Sequence, residues 1–217
     1  MINTKILKEC DLKESEVIFF KNHKINVKEI ENIKIIDFKT PGTNEYYIRY
    51  IFDNDKIIVT GDLGSAIYEW NGCITLKKIS IMGPHNFNQK CSCSSEGKQE
   101  WCGDIAEKGL TEHWESNFKE EYERLLLEAD NEIDYDYTRL DELEEIKDCL
   151  DDLIENSEDY IEYSSIARKY YIDYESDGWI HELGNRIPIR HKLHLFGLKV
   201  IGRELTQKLE KNDPHDN

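Results

Sequence analysis

The chain has 217 residues, and its 45 aspartate and glutamate residues against 28 lysine and arginine residues give a formal net charge of −17. This charge argues against a protein that itself grips a nucleic-acid backbone or an anionic membrane, because both tasks need a basic surface. Aromatic residues make up 11% of the chain, which is typical of a folded protein rather than a disordered one.

The sequence contains no run of 18 apolar residues, so we expect no transmembrane helix. Residues 1–9 lack the basic-then-apolar layout of a secretory signal peptide. We therefore predict a cytoplasmic protein that does not bind membranes. Its six cysteines should then be reduced thiols rather than disulfides.

The first third of the chain has the pattern of an antiparallel sheet. Short runs rich in isoleucine, tyrosine, phenylalanine and valine occupy 33–38, 46–52, 56–59 and 65–70. Turn residues separate them at 41–44, 53–55 and 61–64. This alternation predicts a β-meander of three or four strands from about 33 to 70. The stretch 12–30 is compatible with one more strand or with a short helix.

Residues 71–104 form a predicted irregular connector with one or two helical turns at 75–82. This connector carries four of the six cysteines. Apolar residues at helical spacing then predict helices over 104–128, 138–155, 158–173 and 188–211. Thr138 and Asp141 resemble a capping pair for the second of these. The fold class is therefore α+β, with a β-rich region at 1–103 and an acidic helical region at 104–217 packed on the sheet as a single domain.

The negative charge is concentrated in the middle of the chain. Residues 112–160 contain twenty acidic and four basic side chains, a net charge of −16, whereas the other 168 residues sum to −1. In the predicted helix 138–155, one face is apolar and the acids fall on the opposite face at spacings of three and four. The acids that we predict to bind a partner are Asp141, Glu144, Glu145, Asp148, Asp151, Asp152 and Glu155.

Two interpretations of this acidic face remain open at the level of sequence. Like charges three and four residues apart destabilise a helix by roughly 0.2–0.5 kcal/mol per pair, so a face that serves solubility alone normally interleaves lysine with glutamate. A stiff carboxylate row has a charge spacing of the same order as that of DNA phosphates. Such a row could occupy the basic groove of a nucleic-acid-binding protein, with fast and salt-sensitive association.

The best metal-ligand candidates are His85, Cys91, Cys93 and Cys102. On an extended segment, the two sulfurs of a Cys-x-Cys pair would point to the same side, and structural zinc requires four nitrogen or sulfur ligands. The alternative is a set of reduced thiols in an irregular region. We expect no cofactor other than this possible structural zinc.

Other motifs indicate no catalytic centre. His191 and His194 lie three residues apart but lack the His-Glu-x-x-His spacing of a zinc enzyme, so we interpret them as surface or interface histidines. The segment 61–64 joins two predicted strands and lacks the Lys-Ser/Thr of a phosphate-binding loop. We therefore predict a binding protein rather than an enzyme.

The segment 57–70, which contains Gly61-Asp62-Leu63-Gly64 before an aromatic strand, resembles a loose group of uncharacterised phage and prophage proteins. In that group a tyrosine- and phenylalanine-rich stretch follows, matched here by 86–91, and then an acidic helical half. The late Trp179, followed by Pro188 and Leu193, is also similar. The likeness covers roughly 45–120 and part of 178–205. It implies an origin in a mobile element rather than an activity, and the cysteines depart from its pattern.

These observations lead to one main hypothesis and two alternatives. We expect a phage or prophage counter-defence protein that inhibits a host nucleic-acid-targeting complex, such as a CRISPR effector or nuclease, by occupying its basic channel with a DNA-mimicking acidic surface. One alternative is a metal-dependent enzyme or zinc-stabilised protein that uses the histidine and cysteine set. The other is a protein that sequesters a nucleotide signal in an aromatic-lined pocket, although the negative net charge opposes an anionic ligand.

Overall fold

The structure is a computed structural model that describes residues 3–95, 97, 99–131, 136–174, 180 and 183–212. Backbone contacts divide the chain into two compact units. The sheet unit comprises Met1–Lys98 and Ile187–Asn217, and the helical unit comprises Gln99–Arg186. The helical unit is thus an insertion between two parts of the sheet unit.

The sheet unit is built on a six-stranded antiparallel meander in which sequence neighbours pair in the order β1 to β6. The strands are β1 (Lys24–Ile30), β2 (Ile33–Lys39), β3 (Ile48–Asp53), β4 (Lys56–Gly61), β5 (Ala66–Glu69) and β6 (Cys91–Ser94). Asn54 adopts a positive φ of 53° between β3 and β4. Position 61 requires glycine, because its φ is +136° and a Cβ there would lie 2.2 Å from the Tyr47 carbonyl oxygen. The predicted α+β class is confirmed.

The sheet contains two strands beyond the predicted meander of 33–70. β1 lies within the stretch whose type the sequence left open, and β6 lies in the connector that was predicted to be irregular. β6 is only four residues long and consists of cysteine and serine, so it lacks the large branched and aromatic side chains that identify strands in a sequence.

Four α-helices and two short 3-10 helices, Glu14–Glu16 and Ile18–Asn22, are described in the sheet unit. The α-helices pack around this sheet. They are α1 (Thr4–Glu9), α2 (Leu76–Ser80), α3 (Pro84–Asn88) and α8 (Ile189–Asn212). α8 contacts α1, α2 and α3. Its buried Leu193, Phe196 and Ile201 join the strand side chains in one apolar core, where the ring of Phe196 stacks on that of Phe20 with centroids 5.6 Å apart.

The helical unit begins and ends at a two-stranded clasp, in which β7 (Glu100–Trp101) pairs with β8 (Asn185–Arg186). Between them lie α4 (Gly103–Asn117), α5 (Lys119–Asp130), α6 (Tyr137–Glu155) and α7 (Tyr160–Tyr174). Their inner faces bury a core that includes Leu110, Leu150 and Tyr163. The helix predicted over 104–128 is divided at Phe118, whose φ of −129° and ψ of −33° leave the helical region.

The two units divide the chain differently from the predicted boundary at 103–104. The start of the helical unit at Gln99 lies close to it, but α8 belongs to the sheet unit. The predicted helical region is therefore shared between the units, and only its last helix is a component of the sheet unit's core. Among the described residues, no helix is long and apolar enough to cross a bilayer.

Candidate protein-binding surface

α6 presents one apolar face and one charged face. Its N-cap is Asp136 rather than the predicted Thr138, and the Asp136 side chain accepts a hydrogen bond from the Arg139 amide at 3.0 Å. The apolar face is buried along the helix at Leu140, Leu143, Ile146, Leu150 and Leu153. Because α4, α5 and α7 all contact α6, the rotation of the opposite face is fixed.

The opposite face is the acidic surface, which we define as the seven predicted acids. All seven are exposed: Asp141, Glu144, Glu145, Asp148, Asp151, Asp152 and Glu155. At about 100° per residue they occupy an arc of about 120°. They extend over roughly 21 Å of helix axis, which is about one carboxylate every 3.5 Å. One strand of duplex DNA carries a charge about every 3.4 Å of axis.

Basic side chains neutralise little of this acidic surface. The four basic residues of the window 112–160 are Lys119, Arg124, Arg139 and Lys147, and each forms an ion pair. Only Lys147 reaches the acidic surface, where its Nζ lies 2.7 Å from Asp151 Oδ2. Lys119 pairs with Glu115 and Arg124 with Glu128. Arg139 pairs with both Glu121 and Glu142.

Five members of the acidic surface have no side-chain partner among the described residues. They are Asp141, Glu144, Asp148, Asp152 and Glu155. These five carboxylates of the predicted row are therefore exposed and accessible to a cationic partner.

Arg139 ties α6 to α5 next to this surface. Its guanidinium donates to Glu121 Oε2 at 2.9 Å and to Glu142 Oε2 at 3.1 Å. The hydrogen bonds from Arg139 hold the pKa of the Glu121 carboxyl below its usual range. The sequence does not indicate this pair, because Glu121 and Arg139 are 18 residues apart and only the packing of α5 on α6 brings them together.

The predicted metal ligands do not assemble. Among the described residues, no three histidine, cysteine, aspartate or glutamate side chains lie where they could hold a metal ion. His85 hydrogen-bonds through Nε2 to Gln89 at 2.9 Å, and Cys102 belongs to the other unit, where Arg186 donates to its sulfur at 3.6 Å. The set of His85, Cys91, Cys93 and Cys102 is therefore not a zinc site in this structure.

A β-bulge explains why Cys91 and Cys93 do not behave as predicted. Tyr68 pairs with Cys91 and Ile67 pairs with Cys93, so Ser92 is an extra residue on β6. A bulge interrupts the strict alternation of a strand. As a result Cys91 is buried, with its thiol directed at the Cys93 carbonyl at 3.4 Å, whereas Cys93 is exposed.

His191 and His194 are buried rather than on the surface, each only 1% exposed. His194 Nδ1 lies 3.0 Å from Tyr68 Oη, and its Nε2 lies 3.0 Å from the Leu63 carbonyl oxygen. Burial lowers the pKa of His194 to about 3, so its ring is neutral and structural. His191 contacts Ser94 Oγ at 2.9 Å and Asn88 Oδ1 at 2.6 Å.

The two units differ strongly in net charge. The sheet unit has 20 basic and 17 acidic residues, a net charge of +3, whereas the helical unit has 8 basic and 28 acidic residues, a net charge of −20. The acidic surface is thus part of a unit in which acids outnumber bases more than threefold. In comparisons of sequence and of fold, no protein-family model, curated protein or solved structure matches this chain.

Proposed function

We propose that the protein inhibits a nucleic-acid-targeting complex by inserting its acidic surface into the basic channel that normally holds DNA or RNA. The observation that carries this proposal is the row of seven exposed carboxylates on α6, of which five have no hydrogen-bonded or ion-paired side-chain partner in the described part of the chain. A face that served only solubility would not need to keep its charges on one arc with so few basic side chains between them.

Three physical properties of the acidic surface support this function. The carboxylates stand on a helix whose inner face is buried, so they are held in place rather than displayed on a mobile loop. Their axial spacing is close to that of phosphates on one DNA strand. The net charge of −20 on the helical unit would accelerate association with a basic channel at low ionic strength.

The resemblance to phage and prophage proteins supplies the biological setting of the proposal. A phage-borne inhibitor would act in the cytoplasm of the infected cell on a host defence complex, such as a CRISPR effector or another nuclease. Direct nucleic-acid binding is not part of this function, because the acidic surface and a phosphate backbone repel each other.

The experiment compares two variants that each remove four negative charges. The test variant is Glu144→Gln, Glu145→Gln, Asp148→Asn and Asp152→Asn on the acidic surface. The matched control changes exposed acids of α4 and α5, namely Glu107→Gln, Glu120→Gln, Glu123→Gln and Asp130→Asn. Each tagged protein is used to capture partners from host lysate at 50 and 500 mM NaCl.

We expect wild type and control to capture a nucleic-acid-binding complex at low salt and to release it at high salt or on addition of duplex DNA. At about 0.7 kcal/mol per lost charge pair, the test variant should bind this complex about 100-fold more weakly. Equal affinity of the test variant and wild type, or a captured complex that DNA does not displace, would overturn the proposal.

A further inference from the structure

A basic groove lies in the sheet unit between α1, α2 and α8, and its volume is about 1040 Å³. The basic residues that line it are Lys5, Lys77, Lys199 and Arg203. We propose that this groove binds a phosphate-bearing small molecule with an apolar part, of the nucleoside phosphate class. This site is independent of the acidic surface and of the function proposed for it.

Lys199 forms the charged base of the groove. Its side chain is only 4% exposed, and its ammonium donates to Glu9 Oε2 at 3.0 Å and to the Ser80 carbonyl oxygen at 3.1 Å. A lysine ammonium has three donors, and among the described residues no acceptor takes the third. A buried cation with an unused donor favours an anionic oxygen in the adjoining space.

Two further cations on the groove have no partner among the described residues. Neither the Lys77 ammonium nor the Arg203 guanidinium forms a hydrogen bond or ion pair in the part of the chain that the structure describes. Within the described part of the chain, the Lys5 ammonium has one ion pair, a distant contact with Glu9 at 3.9 Å. Glu9 is therefore shared by Lys5 and Lys199, and it is the single acidic residue among the lining residues.

The resulting local charge is opposite to that of the chain. Four basic side chains and one acidic side chain line the groove, a net charge of +3 on a protein whose net charge is −17. A concave site lined by one sign of charge concentrates ligands of the opposite sign. The negative net charge of the whole chain therefore does not exclude an anionic ligand here, because the excess acids lie in the helical unit.

The groove also offers apolar surface for the rest of the ligand. Leu76, Ile81 and Met82 line it, and Ile81 is 86% exposed. A second pocket of about 330 Å³ shares Ile6, Arg203 and Gln207 with the groove, and rings of phenylalanine form part of its wall. Small-molecule sites combine apolar walls with a few charged groups in volumes of about 300–1000 Å³, which suits phosphates joined to a planar base.

The test measures binding of ATP, tripolyphosphate and inorganic phosphate to the full-length protein by isothermal titration calorimetry without added metal. The groove variant is Lys77→Glu with Arg203→Glu. The matched control is Lys8→Glu with Lys208→Glu, which makes the same charge change on α1 and α8 at exposed residues that do not line the groove. Circular dichroism checks that both variants are folded.

We expect wild type and control to bind ATP alike, and the groove variant to bind at least about tenfold more weakly for each charge reversed. Tripolyphosphate should bind more weakly than ATP, because it lacks the planar part. The proposal is overturned if ATP does not bind to wild type below about 1 mM, if the groove variant binds as tightly as the control, or if tripolyphosphate or inorganic phosphate binds as tightly as ATP.

Discussion

The sheet unit and the helical unit place their polar groups in opposite ways. In the sheet unit, tyrosine and histidine side chains are buried and satisfied by specific partners: Tyr50, for example, is fully buried and donates to the His194 carbonyl oxygen at 2.9 Å. In the helical unit, most charges lie on the outside, and the acidic surface is left largely unpaired. The sheet unit is thus organised for conformational specificity, and the helical unit for display of charge.

Because of this contrast, substitutions of buried polar residues in the sheet unit should change stability, whereas substitutions on the acidic surface should mainly change binding. A buried polar network is costly to disrupt, because an unsatisfied group loses its hydrogen bonds without regaining water. An exposed row of like charges opposes folding by a small amount, and its removal should improve stability.

Truncation of a core side chain in each unit tests whether the two units, which are separate in their backbone contacts, also unfold independently. Phe196→Ala should destabilise the sheet unit by about 3–5 kcal/mol, and Leu150→Ala should destabilise the helical unit by about 2–5 kcal/mol. Hydrogen exchange followed by mass spectrometry should show lost amide protection confined to the mutated unit. Equal loss in both units for either variant would show that they unfold together.

Two glycines of α8 provide a matched pair. A Cβ at Gly197 would lie 2.2 Å from Tyr50 Oη, whereas a Cβ at Gly202 would meet only Leu76, with the nearest atom at 3.6 Å. Gly197→Ala should therefore destabilise the sheet unit by about 1–3 kcal/mol in urea unfolding. Gly202→Ala should stabilise it by about 0.5–1 kcal/mol, because alanine favours the helix. Similar effects at both positions would contradict the close packing of α8 on β3.

Asp37 should make the sheet unit sensitive to acid. Its carboxylate accepts hydrogen bonds from Arg49 Nε at 2.7 Å and Tyr47 Oη at 2.6 Å, and the bond from Arg49 is the main cause of its lowered pKa. A pKa lowered by folding stabilises the protein above the unfolded pKa of about 3.9, and this contribution is lost as the pH falls through the folded pKa.

Asp37→Asn should therefore cost about 1–2 kcal/mol at pH 7 and much less at pH 2–3. Urea titrations at both pH values measure the difference. A cost that does not change with pH would mean that the carboxylate charge contributes nothing.

The smallest change in the free energy of unfolding is expected on the acidic surface, where a substitution should stabilise the protein rather than destabilise it. Asp148 has acidic residues at i−4, i−3, i+3 and i+4, namely Glu144, Glu145, Asp151 and Asp152. Asp148→Lys should stabilise the helical unit by about 0.5–1.5 kcal/mol, and Asp148→Asn by about half as much. The gain, read from thermal unfolding, should shrink in 1 M NaCl because salt screens exposed charges.

The same Asp148→Lys variant separates the two interpretations of the acidic surface. If the surface serves a basic partner, the more stable variant binds that partner less well. If it serves solubility alone, stability rises and partner capture is unchanged.

The sequence predicted the elements whose side-chain pattern is long and regular. The apolar residues of α6 recur over about four turns, so the prediction of 138–155 differs from the observed Tyr137–Glu155 by one residue. The observed N-cap is Asp136 rather than the predicted Thr138, because the Asp136 side chain accepts a hydrogen bond from the Arg139 amide. The acidic surface followed from the same period, since the residues opposite a buried stripe must face outwards.

Other features depend on contacts that a sequence does not contain. The stripe of α8 predicted a helix but not the surface that it covers, so its place in the sheet unit was missed. The bulge at Ser92 separates Cys91 from Cys93 through pairing with β5, which lies more than 20 residues upstream. The cations of the basic groove come from α1, α2 and α8, and no spacing rule joins Lys77 to Arg203.

The β7–β8 clasp gives the helical unit a property that extends beyond this chain. Because Trp101 and Asn185 are paired, the segment enters and leaves through adjacent strands, as domains tolerated inside surface loops of other proteins do. Residues 99–186 could therefore be inserted as one segment into another protein. If this segment replaced the loop of a β-hairpin in an unrelated protein, it would give that protein a row of carboxylates spaced along the helix axis about as phosphates are along one DNA strand.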